Sequence, residues 1–446
     1  MFEIAIGDPH AGYTVLQGPV SPPVVKSTAF FAATSGLFVT EHLEIQLKGT
    51  SAQISTFLSV LETVITRATL YDAFTYASPQ YLRFQQSAGG PYYLTPISQA
   101  FLESNPAGYL HQQSGSRLVI LHYTRPNYFD GPKTELPLTG RAGTNITGGY
   151  PLLNHTDSGV GHGSTVVIDP GNIVSALPAP LRFELTFSTP APALNKDLFA
   201  GLFSHPASYS DVPFFVYYMA LNGGAATPHA AAIQGYYKTF SWTSSSWSPI
   251  TYYAISPADM VYFQGGSFRP IFHLFVPHAY TDLYFRVQVE RPNEVLFVSE
   301  PVRSPPGFGY LMLPPINLPP NFLLGEVSPS SFRISLYGFR ESGALTSIAT
   351  DCLTIFPLGS AASFYGLYNL PVAYTLVDDS HRSRFNIRTT AGSGESVSHA
   401  RVGGPLMLMP AHYNRIFFYG TNESNLMPID FNYILKAFYY PRVRLI

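Results

Sequence analysis

Strict alternation of apolar and polar residues dominates the chain. In HLEIQLKG, Leu43, Ile45 and Leu47 fall on one side and Glu44, Gln46 and Lys48 on the other. LRFELTFS sets Leu181, Phe183, Leu185 and Phe187 against Arg182, Glu184, Thr186 and Ser188. LYFRVQVE places Leu283, Phe285, Val287 and Val289 inward, and FRISLYGF does the same with Phe332, Ile334 and Leu336. A period of two marks strands with one buried face, which belong to antiparallel sheets. The expected fold is therefore mainly β, built of antiparallel β-sandwiches or barrels, and not a doubly wound parallel sheet.

One segment follows a different period. From Thr50 to about Leu70, Ile54, Phe57, Leu58, Leu61, Val64, Ile65 and Ala68 recur at helical spacing, with Gln53, Ser55, Glu62 and Thr63 on the opposite side. Thr50 followed by Gln53 forms a capping box at its start. The spacing predicts one amphipathic helix over about 50–70 laid on a sheet; a partner-binding helix is the alternative.

The alternation is interrupted after Pro132. Gly131 to Ser164 holds no long apolar run and reads as an irregular crossing. The expected organisation is an N-terminal α+β sandwich over 1–140, a linker over 141–164, and a β-sandwich region over 165–446. That last region carries an aromatic, serine-rich insertion at about 205–265 and amounts to one large or two smaller sandwiches. No repeat of 20–50 residues is present, which removes solenoids and propellers.

Composition sharpens this picture. A chain of 446 residues can bury a large core, yet only 12% of its residues are charged while 15% are aromatic. So little charge solvates a large lone monomer poorly, and much of the surface is expected to be covered by partners. A net charge of −2 gives no footprint for nucleic acid or an anionic membrane. The single Cys352 forbids an intrachain disulfide and any cysteine-rich zinc site. The opening MFEIAIGDPHAGY lacks a signal-peptide pattern and no apolar run of membrane-spanning length occurs, so the expectation is a chain made in the cytoplasm.

Catalytic and metal patterns are weak. GVGHGS (159–164) lacks the lysine and helix of a phosphate loop, and GSGES (392–396) lacks the final glycine of a nucleophile elbow. The thirteen histidines show no zinc-type pairing, so His111, His122, His162, His273, His399 and His412 read as surface or interface residues. Asp378 and Asp379 suit a turn, and a calcium loop built on them would lack the usual spacing. The sequons at Asn145, Asn154 and Asn422 are chance matches without a secretory signal. No catalytic residue, cofactor or metal is expected. The suggestive class is aromatic: Tyr92, Tyr93, Tyr217, Tyr218, Tyr236, Tyr237, Trp242, Trp247, Tyr252 and Tyr253 cluster in or beside expected loops. Such rings anchor protein interfaces or stack on sugars. Trp242, Trp247, Tyr236, Tyr237, Tyr252 and Tyr253 are the candidate interface or glycan residues.

A set of phrases in fixed order resembles tail proteins of tailed bacteriophages and prophages. The central one is RLVILHYTRPNYFDGPKTELPLTG (Arg117 to Gly140), preceded by LEIQLKGTSAQISTFLSVLETVITRA and YLRFQ. SALPAPLRFELTF, FRPIFHLFV, FGYLMLPP, TDCLTIFPL, GGPLMLMPAHYNRIFFY and the closing YYPRVRLI look like framework strands of an attached galactose-binding-like jelly roll. Tyr128-Phe129 stands where the family often has a tryptophan. The resemblance implies a distal-tail or baseplate protein at the virion tail tip, with tube, hub and head-decoration proteins as relatives of similar build. It implies no catalytic residues. The implied partners are copies of itself in a ring, hexameric or trimeric, neighbouring tail proteins and a host-surface glycan.

Overall fold

The structure is a computed structural model, and it describes residues 3–8, 12–19, 22–35, 37–73, 79–104, 116–139, 145–146, 148–152, 165–187, 197–205, 218–219, 222–229, 232, 236–243, 245–255, 266–276, 278–292, 294–318, 331–365, 375–381, 384–388, 395–396, 400–421 and 433–444. It is mostly antiparallel β-structure with a single α-helix among the described residues. The chain divides into two compact units. One comprises 1–134, 175–177 and 440–446, and the other 135–174 and 178–439. The closing residues thus cluster with the N-terminal unit, and the division falls at Thr134/Glu135 instead of 140.

The first unit is built on one sheet in which Tyr92–Ser104 and Ser116–Pro126 link Glu3–Asp8, Gly12–Gln17 and Gln80–Gln85 to Val24–Ser35 and Phe38–Lys48. The alternation in Phe38–Lys48 is realised residue by residue: Leu43, Ile45 and Leu47 are fully buried. The helix Ser51–Ala73 lays Phe57, Leu61, Val64 and Ala68 on the same core as Ile6, Leu82 and Val119, with Ile54, Leu58 and Ile65 at its margin. The helix is a core element, as its stripe predicts. Its capping box is formed on both sides: the Thr50 backbone N–H donates to Gln53 Oε1 at 2.9 Å and the Gln53 N–H to Thr50 Oγ1 at 3.3 Å. Thr50→Ala is expected to cost about 1 kcal/mol of the first unit's stability, read from a shift in its urea unfolding midpoint.

The second unit contains two sandwiches with separate cores. In the first, one sheet runs in the order Asn145–Ile146, Leu138–Thr139, Thr165–Ile168, Tyr413–Thr421, Asp197–His205, Ala361–Tyr365, Ala400–Gly403. It faces a sheet ordered Tyr150–Leu152, Tyr433–Tyr439, Ala179–Phe187, Thr375–Asp379, Arg384–Arg388, Glu395–Ser396. Leu181, Phe183 and Leu185 meet Leu198, Leu202, Ile416 and Phe418 between them. Arg182, on the outer side of its strand, is nevertheless buried, and is neutralised by Asp379 at 3.0 Å and Glu184 at 2.7 Å.

The second sandwich lies within the first in chain order. Asp197–His205 pairs directly with Ala361–Tyr365, so nearly all the chain between them forms an inserted domain, well beyond the stretch 205–265 expected from composition. One of its sheets is ordered Ala225–Pro228, Tyr236–Trp242, Thr346–Pro357, Ser267–Val276, Tyr310–Met312, and the other Ser248–Ile255, Phe332–Arg340, Leu283–Arg291, Glu294–Val298. FRPIFHLFV, FGYLMLPP and TDCLTIFPL belong to this insertion and not to the first sandwich. The expected linker 141–164 contributes two short strands, Asn145–Ile146 and Tyr150–Leu152, to the first sandwich; GVGHGS lies outside the described residues.

The two sandwiches share an aromatic seam. Phe417, on a strand of the first, is fully buried in the core of the second, 4.8 Å from Phe356 between ring centroids, while Phe199 lies 5.8 Å from Phe356 and Phe203 5.9 Å from Phe268. Gly201 is required here: a Cβ at this position would stand 2.2 Å from the Phe417 ring.

Candidate functional site

The candidate aromatics divide between different surfaces of the inserted sandwich. They lie on or beside strands, not in free loops. Tyr253 is 7% exposed and belongs to the core, and Trp242 packs at the margin of the same core. Tyr236 and Tyr237 lie on the sheet opposite Trp247 and Tyr252, with Tyr237 stacked on Phe275 at 4.6 Å. Trp247 and Tyr252 remain, and the fold gathers other groups around them. Of the wider set, Tyr92 lies over Arg83 and Tyr93 packs on the first unit's core, whereas Tyr217 falls outside the described residues.

The gathering surface is the outer face of the sheet Ser248–Ile255, Phe332–Arg340, Leu283–Arg291, Glu294–Val298. Because Leu283, Phe285, Val287 and Val289 turn inward, the alternate residues Tyr284, Arg286, Gln288 and Glu290 must turn outward. Register places Tyr284 opposite Phe339, Arg286 opposite Tyr337, Gln288 opposite Ser335 and Glu290 opposite Arg333. On the next strand Tyr252 lies opposite Ser335. The result is a polar and aromatic ladder over a mainly apolar inner face.

Two guanidinium groups are stacked on its rings. Arg286 lies over Trp247 at 4.4 Å and over Tyr337 at 5.5 Å from the centroid, and Arg333 over Tyr252 at 4.7 Å. Trp247 is braced from the side by Phe339 at 5.4 Å. Between these stacks runs a continuous hydrogen-bonded band. Glu290 accepts from the Ser335 hydroxyl at 2.7 Å and the Tyr337 hydroxyl at 3.0 Å. With its amide oriented to match its neighbours, Gln288 donates to Glu290 at 3.0 Å and accepts from Arg286 at 2.9 and 3.2 Å. Partial burial and the bond to Glu290 push the Tyr337 phenol above its ordinary pKa, so it remains a neutral donor at physiological pH.

The electrostatic balance of this face is uneven. Arg340, also stacked on a ring (Tyr280, 4.3 Å), is neutralised by Asp282 at 2.9 Å. Bonds from Ser342 and then Arg340 hold the Asp282 carboxyl down at about 2. Arg286 and Arg333 have no carboxylate at ion-pair distance among the described residues, since both oxygens of Glu290 are taken by hydroxyl and amide donors. Sequence reasoning missed Arg286, Gln288, Glu290, Arg333 and Tyr337, although the alternation that identified their inward neighbours already assigns them to one face.

A second cluster is internal. His273, expected at a surface or interface, is buried: its Nδ1 bonds the Asp351 carboxylate, and Cys352 lies beside them. A register shift between Phe272 and Leu274 brings Asp351 and Cys352 together opposite His273. Nitrogen, oxygen and sulfur donors within 4.8 Å of one another could hold a cation. Burial, and then the Asp351 carboxylate, push the Cys352 thiol well above its ordinary pKa, so the protonated thiol is the resting form. Asp379 is committed to Arg182 and the His381 backbone N–H, and Asp378 is fully buried; they end a strand just before the turn. His122 pairs with Glu103 at 2.8 Å, and His412 is half-buried beside the Pro410 carbonyl. His111, His162, His399, Asn154 and Asn422 lie outside the described residues. No described helix is long and apolar enough to cross a membrane.

No protein-family model matches the chain, and no curated protein matches it. Solved structures to which it is similar include the phage P2 baseplate in its activated conformation with calcium, at 9% identity over 100% of both chains with a TM-score of 0.28. Others are the infectious bursal disease virus VP2 subviral particle (10% identity, 71% of this chain and 82% of that one, TM-score 0.18) and the phage p2 baseplate with strontium (8%, 76% and 98%, TM-score 0.17). Likeness at this level assigns no role to any residue of the chain.

Proposed function

We propose that the chain is a structural protein of a bacteriophage virion, a distal-tail or baseplate component that forms a ring at the tail tip and presents its sandwiches outward. The observation that carries this reading joins two phrases of the tail-protein resemblance, about three hundred residues apart in sequence. Within the first unit, Arg442 of YYPRVRLI bonds Asp130 of the TRPNYFDGP passage at 2.8 Å and lies 4.0 Å from the centroid of the Tyr128 ring, and the Gly131 N–H donates to the Pro441 carbonyl at 2.7 Å. The aromatic pair that replaces the family's usual tryptophan is used in full: Tyr128 beneath Arg442, Phe129 beneath Arg125 at 4.5 Å. The same unit exposes large apolar side chains, Leu37 at 78%, Phe38 at 50% and Phe101 at 56%, which a self-associating surface would cover. The role is geometric: heterologous contacts repeated around an axis close a ring, and no bond is made or broken.

Gold-labelled antibody against the chain, applied to phage particles made from the genome that encodes it, is expected to decorate the tail tip. Decoration of the head alone, or particles that carry none of the chain, would refute this assignment.

A further inference from the structure

We infer that the outer face of the inserted sandwich's Arg286/Arg333 sheet binds an anionic polysaccharide through these two guanidinium groups. The inference is independent of where the protein resides. The arginines of this sheet are unevenly paired. Four of them lie on aromatic rings, and two of these are neutralised, Arg340 by Asp282 and Arg291, over Phe332, by Glu294. Arg286 and Arg333 are held as firmly, on Trp247 and Tyr252, yet no carboxylate pairs with them among the described residues. Stacking fixes the plane of each guanidinium; in Arg286 the Gln288 amide oxygen takes the Nε and Nη2 donors and leaves the Nη1 side for an oxyanion, and an immobilised guanidinium loses little entropy on binding.

The spacing suits an extended ligand. Arg333 opposes Glu290, four residues along the strand from Arg286, so the two positive sites stand about 13 Å apart along the strand direction. The ground between them is a polar band whose open part is the half-buried Glu290 and Tyr337; Gln288 and Ser335 are buried and hold these two in place by hydrogen bonds. That band suits a chain bearing hydroxyl groups between its charges. It does not suit the centre of a protein interface, which is depleted of charge and apolar. The rings themselves are not the sugar-stacking platforms that their residue types suggest, because guanidinium groups already cover them. Tyr252, 36% exposed, and the exposed Val295 and Val298 on the flanking strand supply an apolar border.

The anionic group could be a uronate carboxylate or a backbone phosphodiester, which share this recognition chemistry. The test is titration calorimetry of the full chain at low salt with four probes: an oligogalacturonate, a poly(glycerol phosphate), a neutral dextran oligomer and poly-glutamate. One or both anionic saccharide-type polymers are expected to bind and dextran not to bind. Arg286→Gln combined with Arg333→Gln should weaken that binding at least about tenfold, while Lys48→Gln, an exposed lysine of the first unit, leaves it unchanged. Circular dichroism of each variant verifies folding, and Arg286→Lys with Arg333→Lys, which keeps the charge but not the fork, should restore only part of the affinity. Uronate binding without phosphodiester binding names the first source, and the converse the second. Absence of binding to both, equal binding of dextran, binding of poly-glutamate alone, or binding unaltered in the double glutamine variant would each overturn the inference.

Discussion

Arg125→Ala is expected to destabilise the first unit by about 3 to 5 kcal/mol, because it strands the Glu41 carboxylate in the core. Glu41 occupies the inward side of Phe38–Lys48, two residues before Leu43, where alternation calls for an apolar residue. It is tolerated because Arg125 meets it with two bonds, Nε to Oε2 at 2.8 Å and Nη2 to Oε1 at 2.5 Å, and both side chains are almost wholly buried. Arg125 also donates to the Pro126 carbonyl at 2.9 Å and lies over Phe129. Burial, and then the Glu41 carboxylate, push the Tyr123 phenol well up, which keeps it protonated beside the pair. Glu41→Leu with Arg125→Met removes both charges and should recover most of the loss, since an apolar pair of similar volume in a core is close to neutral. Guanidinium unfolding of the two single variants and the double variant checks this. Single variants within 1 kcal/mol of the parent would show that water reaches the pair.

Phe417→Ala should cost the second unit about 3 to 5 kcal/mol, the range for deleting a fully buried phenylalanine. It should also change how that unit melts. Phe417 belongs by its strand to the first sandwich and by its packing to the core of the second, where it meets Phe356 and lies beside Gly201. With the seam intact, the two sandwiches are expected to unfold in one calorimetric transition. Removing the ring opens a cavity at their junction and should split that transition in two, with the inserted sandwich melting separately. A single transition in Phe417→Ala, shifted by less than a few degrees, would remove the seam as the source of coupling.

The two substitutions mark where the sequence is legible and where it is not. Alternation in 43–47, 181–185, 283–289 and 332–336 and the stripe from Ile54 to Ala68 depend on neighbours within a few residues, and all of them are realised. The pairing of Asp197–His205 with Ala361–Tyr365 spans more than 150 residues and has no local signature. Strands 283–289 and 332–336 of the inserted sandwich are legible by their alternation, and two smaller sandwiches are among the expected arrangements, but that one is inserted into the other is not. The same limit governs the site. That Arg286, Gln288 and Glu290 share a face follows from LYFRVQVE. That Trp247 lies under Arg286, and Tyr252 under Arg333, depends on which strands are neighbours. His273 escaped its expected surface position because a bulge, invisible in an alternating count, aims Asp351 and Cys352 at it. Arg182 lies on the outer side of its strand, as alternation predicts, yet is buried with its two carboxylate partners.

The low charge and high aromatic content now have a partial inventory. Many rings fill two cores and a seam, several lie beneath arginines, and Leu37, Phe38 and Phe101 stay open on the first unit. On the proposed reading, those last residues are subunit contacts. Sedimentation velocity of the purified full chain at micromolar concentration tests this most directly. A single closed species at three or six times the 49.0 kDa chain mass, dissociated by Phe101→Glu, is the predicted result. A stable monomer across that range would contradict it.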